Sequence, residues 1–239
     1  MTSAFAGITP HLDELRRRLI TSFVTLGLTS AAAFAFNQEL VRFLIRPLFQ
    51  TAPNLSHLVY THLTEAFISS LKVAILAGVV AAVPVFLHQL WLFIAPGLYR
   101  HERRLFGGLL LISIGFFLAG AAFAYLILLP QSLRLLLAVD AGQLTALPRL
   151  EDYLAFVGRL TLGCGLAFEL PFLVVAVTRT GIVRRSWFGA QRWLILGSIF
   201  VIALLLAGGD PFAASLLFLP LWALYEAGLL LSRLLGSPA

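Results

Sequence analysis

From Leu105 to Leu133 the chain carries no charged residue. A bilayer's hydrocarbon core asks for only about 20 apolar residues per helix. A second run begins near Phe67 and reaches Tyr99 with Lys72 as its single interruption. Lipid admits only helices or closed barrels, because every backbone polar group must be satisfied within the structure. These runs are too long and too uniformly apolar for barrel strands. The expectation is therefore an all-α polytopic membrane protein.

Six transmembrane helices are expected within one integral membrane domain, 1–239, at about 19–36, 67–90, 105–129, 153–178, 193–207 and 211–231. Composition agrees: 60% of residues are apolar and 12% charged, against about 45–50% and about 25% in soluble domains. The last two spans are short. From Trp193 to Ala207 a helix rises about 22 Å, against a core of about 30 Å. Either the bilayer thins around this pair, which turns at Asp210, or the hairpin dips in without crossing.

The net charge of +6 would suit nucleic acid only if it formed a basic stripe on a soluble face. Here the arginines cluster between apolar runs, and no nucleic-acid partner is expected. Arg16, Arg17, Arg18, Arg100, Arg103, Arg104, Arg179, Arg184, Arg185, Arg192 and Arg233 fall on one side, and Arg42, Arg46, Arg134 and Arg149 on the other. By the positive-inside rule, eleven against four places both termini in the cytoplasm. The opposite face carries two longer loops, about 37–66 and 130–152. The stretch Arg16–Phe36 shares features with a cleaved signal peptide, but its apolar run is longer than usual and its removal would leave an odd number of spans. Pro84, Pro171 and Pro220 lie inside the second, fourth and sixth spans, where they bend helices.

Thr9-Pro10 reads as a helix start, with Leu12, Leu15 and Leu19 on one face. Asp13 and Glu14 complement the helix dipole, and Glu14 can pair with Arg18 one turn on. The same arginine-rich face has just three loop carboxylates, Asp13, Glu14 and Glu102. Glu102 is either a member of a solvated charge cluster or, beside Trp91, Phe93 and Tyr99, a carboxylate that grips a guanidinium. Charges inside the spans cost at least about 2.5 kcal/mol at mid-bilayer unless paired or wet. Lys72 and Arg159 lie within snorkelling reach of the surface. Glu169, beside Pro171, is too short to snorkel, so it needs a partner on another helix, a wet cavity or a proton, and a polar hollow in the membrane is the expectation. Glu226 is likewise embedded. His88 and His101 lack any metal partner, and the lone Cys164 reads as packing.

These residues together resemble the TatC family, the multispanning receptor subunits of the twin-arginine protein translocase. The resemblance rests on His11-Leu12-Asp13-Glu14-Leu15-Arg16-Arg17-Arg18, on Pro47, Glu65 and Lys72, and on Phe93-Ile94-Ala95-Pro96-Gly97-Leu98-Tyr99-Arg100-His101-Glu102-Arg103-Arg104. It continues through Phe168-Glu169-Leu170-Pro171, Asp210 and Glu226.

The resemblance implies a glove-shaped, non-enzymatic receptor whose cytoplasmic tip binds the paired arginines of exported proteins' signal peptides. Glu14 and Glu102 would receive the guanidinium groups, with Arg16, Phe93, Arg100 and Arg104 in support. Pro47 would shape the outer cap, and Glu169 would be the polar residue of the concave face. Folded cargo would cross with TatA- and TatB-type single-span partners in an oligomeric receptor complex. The proton gradient would drive transport, and no cofactor or metal is expected. The chain departs from the family pattern at Gly208-Gly209, where relatives often place proline before the aspartate, and at Ala214, where a polar side chain is common. Two other classes compete: a small-solute transporter, which would show inverted repeats, and an intramembrane enzyme, which would need a second aspartate opposite Asp210 or a Ser/His or metal constellation.

Overall fold

The computed structural model describes residues 9–52, 58–59, 62, 64–94, 106–138, 148–179, 185–207, 209 and 211–234. Among them the ordered elements are helices: α1 (Thr9–Ala35), α2 (Asn37–Thr51), α3 (Glu65–Ile94), α4 (Phe106–Phe123), a π-helical turn (Ala124–Leu128), α5 (Leu129–Ala138), α6 (Leu150–Phe168), α7 (Leu170–Arg179), α8 (Arg185–Ala190), α9 (Arg192–Leu206) and α10 (Pro211–Leu234). Five stretches are long and apolar enough to cross a membrane: Asp13–Ala35, Glu65–Leu92, Leu110–Leu136, Leu150–Val175 and Ala214–Ser232. Of the last two spans, both expected to be short, the final one is not, since α10 runs 24 residues; the expected span 193–207 is the exception. It corresponds to α9, whose 15 residues rise about 22 Å.

The helices wear their apolar residues outward. On α1, Phe23 is 67% and Leu28 68% exposed, a surface that water would punish and lipid tolerates. Packing between helices depends instead on close backbone approach, as lipid supplies no hydrophobic drive to association. α1 lies along α3, and the crossing is tightest at Gly78. A Cβ there would stand 2.6 Å from the Ser30 Cα, while the Thr29 hydroxyl donates to the Gly78 carbonyl at 2.9 Å. α4 meets α6 similarly at Gly120, where a Cβ would fall 2.6 Å from the Cys164 carbonyl oxygen. Cys164 itself is buried in the core beside Val157 and Leu160.

Prolines and one glycine shape the chain locally. The fourth apolar stretch breaks at Glu169: its N–H donates back to the Leu166 carbonyl at 3.1 Å, and α7 restarts as Leu173 N–H donates to the Glu169 carbonyl at 2.9 Å. Pro171, second in α7, has no N–H to continue the earlier ladder. Pro84 and Pro220 lie inside α3 and α10. Gly209, with φ of 90°, closes α9 by donating to the Leu204 carbonyl at 2.9 Å. That left-handed backbone suits glycine, which accounts for a glycine at this departure from the family pattern.

At the end where α3 and α6 begin, the chain is stitched across long sequence distances. Val59 pairs in parallel with Arg149, through Val59 N–H to Pro148 O at 3.4 Å and Leu150 N–H to Val59 O at 3.3 Å. α2 lies over this end with Leu44, Pro47 and Leu48 buried and Arg42 and Arg46 exposed.

Candidate functional site

At the opposite end, the first turns of α1 meet the last turn of α3. Glu14 is partly exposed, with 35% of its side chain accessible, and Arg16 and Arg17 point into the open. Arg18 turns inward. Its Nε lies 3.1 Å from Glu14 Oε1, and Nη2 bonds the same oxygen. The guanidinium continues to Gln89 Oε1 at 3.4 Å and to the Leu92 carbonyl at 3.1 Å. Among the described residues, Glu14 Oε2 accepts no hydrogen bond. The result is a carboxylate held near the end of α3 and the half-buried Trp91. A charge-assisted bond to a carboxylate oxygen is about twice as strong as a neutral one.

Of the other residues expected at this site, Glu102, Arg100 and Arg104 lie outside the described residues, as does the side chain of Phe93. The structure joins Glu14 to Leu92, at the point where the chain leaves α3 toward them.

The polar residues of the spans are placed as follows. Ser113 on α4 donates its hydroxyl to Glu169 Oε2, while Glu169 Oε1 is buried and accepts nothing among the described residues. Glu169 thus has a partner on another helix, as its depth required. Glu226 on α10 pairs with Arg192 at the start of α9 and accepts from Trp222 Nε1 at 3.2 Å. Asp210 lies outside the described residues.

Three arrangements went unread in the sequence. Lys72, expected to snorkel, also pairs with Glu151 on α6. Glu65 is 1% exposed and sits where both loops of its end converge: it accepts from the His62 N–H and the Glu151 N–H, each at 3.4 Å, and faces Arg149 Nη2 at 3.6 Å. Tyr125 and Tyr153 bind consecutive carbonyls of α2, Phe43 at 2.6 Å and Leu44 at 2.8 Å. Only the first of these tyrosine contacts had a readable signal, the proline four residues beyond Phe43.

Residues 10–220 match the family model described as Sec-independent protein translocase protein (TatC). The chain is 37% identical to the Sec-independent protein translocase protein TatC of Deinococcus radiodurans, over 96% of this chain and 87% of that protein. It is 36% identical to the Aquifex aeolicus protein of that name, over 95% of each. A crystal structure of the twin arginine translocase receptor TatC superimposes with a TM-score of 0.85 at 36% identity, covering 94% of this chain and 98% of that one. These relatives are components of a transport system, and the matches run nearly end to end. This chain, a multi-pass helical membrane protein, belongs to the TatC family of Sec-independent protein translocase proteins.

Proposed function

We propose that this protein is the receptor and core subunit of a twin-arginine translocase. It binds the paired-arginine signal peptide of folded cargo at the end of the bundle where α1 begins and α3 ends. Translocation then proceeds with TatA- and TatB-type single-span subunits, in an oligomeric receptor complex, driven by the proton motive force. The observation that carries this reading is the Glu14 carboxylate, clasped by Arg18 through Oε1 against the end of α3, with no bond to Oε2 among the described residues. Glu102 is its counterpart in the segment that follows α3, with Arg16, Phe93, Arg100 and Arg104 supporting. Glu169, Asp210 and Glu226 are polar groups within the membrane, and Pro47, Pro84 and Pro171 are shaping residues.

The arginine distribution supports a cytoplasmic location for this end, and with it both termini, in a bacterial-type inner membrane. Two carboxylates are suited to two guanidinium groups because a planar fork meets a carboxylate with directed bonds, whereas an ammonium is a point charge.

The test is binding of a fluorescent Arg-Arg signal peptide, and of its Lys-Lys counterpart, to the protein in lipid nanodiscs. The Arg-Arg peptide should bind selectively. Glu102→Gln should weaken it by about 1–3 kcal/mol, the scale of one charged hydrogen bond. Equal binding of both peptides, or unchanged binding with Glu14 and Glu102 both made Gln, would overturn the assignment.

A further inference from the structure

Of the three consecutive arginines in α1, two are exposed and one is committed. Arg18 has only 18% of its side chain accessible and lies folded on the last turn of α3. What it binds there is informative. The Leu92 carbonyl is among the last four of α3 and lacks a donor within the helix. Its helical donor would be the residue four positions on, which is Pro96 and has no N–H. The Arg18 guanidinium fills that vacancy at 3.1 Å, where it also meets the negative end of the helix dipole. The same planar group holds Glu14 Oε1 through two nitrogens and Gln89 through the third.

We infer that Arg18 is a positioning residue of the signal-peptide site, fixing the Glu14 carboxylate to the end of α3 with Oε2 as its docking atom. The inference rests on the reading of Glu14 and Glu102 as the receptor carboxylates. Three physical consequences give Arg18 this role. A glutamate on a helix surface gives up rotamer freedom when it binds, and Arg18 removes that cost before the ligand arrives. The clasp also fixes Glu14 relative to the Leu92 carbonyl in the last turn of α3, the helix end from which the sequence runs on to Glu102. Finally, Arg18 already occupies Oε1, so an incoming arginine meets one oxygen of Glu14 rather than two. Discrimination of the planar fork from an ammonium then falls mainly to Glu102.

The rival account makes Arg18 a placeholder that the signal peptide must displace, and it predicts the opposite sign. Arg18→Lys distinguishes them, because an ammonium cannot reach Glu14, Gln89 and Leu92 in one fixed plane. The experiment measures Arg-Arg peptide affinity and dissociation rate on the full chain in nanodiscs. It compares the unmodified protein, Arg18→Lys, Glu14→Ala, the double variant and Glu102→Gln, with a thermal melt of each. Arg18→Lys should weaken binding about tenfold, the scale of one charged hydrogen bond, mostly through faster dissociation. In the Glu14→Ala background the same change should cost less than about twofold, because no carboxylate remains to be positioned.

An equal loss in both backgrounds would mark Arg18 as merely structural and overturn the inference. Tighter binding by Arg18→Lys would overturn it in favour of the placeholder. Binding that depends on the glutamates but ignores Arg18 would sink the positioning role alone. If neither glutamate matters, the receptor reading fails and takes this inference with it. Should Arg18→Lys fold poorly, Gln89→Leu removes a single anchor, and a roughly two- to fivefold loss that disappears with Glu14→Ala is expected.

Discussion

Tyr125 supplies the hydrogen bond that Pro47 takes away. Without an N–H, Pro47 leaves the carbonyl four residues back, that of Phe43, with no helical donor. The Tyr125 hydroxyl donates to that oxygen at 2.6 Å, and its ring stacks on Phe43 with centroids 4.5 Å apart. The proline in α2 is therefore half of a joint whose other half is in the π-helical turn following α4. Tyr125→Phe should lower stability by about 0.5–1.5 kcal/mol, the net worth of one hydrogen bond at an exposed position. Pro47→Ala restores the missing N–H, so the loss from Tyr125→Phe should shrink when both changes are combined. Thermal melts of the four proteins in detergent check this, and additive losses would contradict the joint.

Glu65 and Arg149 differ in what they can lose. Glu65 is 1% exposed, while 40% of the Arg149 side chain is accessible. Removing the buried partner strips the His62 and Glu151 N–H groups of their acceptor as well as the cation. Removing the arginine leaves those bonds intact. Glu65→Ala should therefore destabilise by roughly 2–4 kcal/mol and Arg149→Met by less. A larger effect of the arginine change, measured by melting temperature, would contradict this ordering.

Two glycines of the α1–α3 pair make a matched contrast. A methyl group on Gly78 would run into Ser30, whereas one on Gly27 meets nothing within 4 Å. Gly78→Ala should lower stability by about 1–3 kcal/mol through forced separation of the helices. Gly27→Ala should leave it unchanged or raise it by up to about 1 kcal/mol from helix propensity. Equal melting temperatures for the two variants would refute the close crossing.

Arg192 and Glu226 form a partly accessible pair between α9 and α10, with side chains 51% and 31% exposed. A single change to Leu leaves the other charge at an apolar surface. Replacing both should be less damaging than the sum of the single losses, by about 0.5–3 kcal/mol of coupling. Folded yield and thermal melts of the single and double variants measure it, and strict additivity would mean the pair contributes nothing.

The apolar runs were legible because lipid imposes one rule on every outward residue, so composition along the chain maps directly onto helices. Glu14 with Arg18 was also legible, being a contact one helical turn long. What stayed hidden involves partners far apart in the chain. Lys72 and Glu151 are 79 residues apart, and snorkelling explained Lys72 adequately until the two helices were seen side by side. Arg149 looked like one more outer charge, though it faces buried Glu65. The prolines carried more information than was drawn from them. Each names an orphaned carbonyl four residues earlier, and at Pro47 and Pro96 those carbonyls lead to Tyr125 and to Arg18. For Glu102, Arg100 and Arg104 the sequence remains the guide to placement.

The cross-links between distant parts of the chain are distributed unevenly among the described residues. The bonds from Tyr125 and Tyr153 to carbonyls of α2, the pair of Glu65 with Arg149, and that of Lys72 with Glu151 all bind the first part of the chain to the later helices at one end. Away from that end, among the described residues, Arg18 joins α1 to α3, Ser113 joins α4 to Glu169, and Arg192 and Tyr225 join α10 to α9 and α8. The end beneath α2 is therefore the one at which a single broken tie would loosen segments far apart in the chain, whereas the loss of Arg18 would be felt first between α1 and α3.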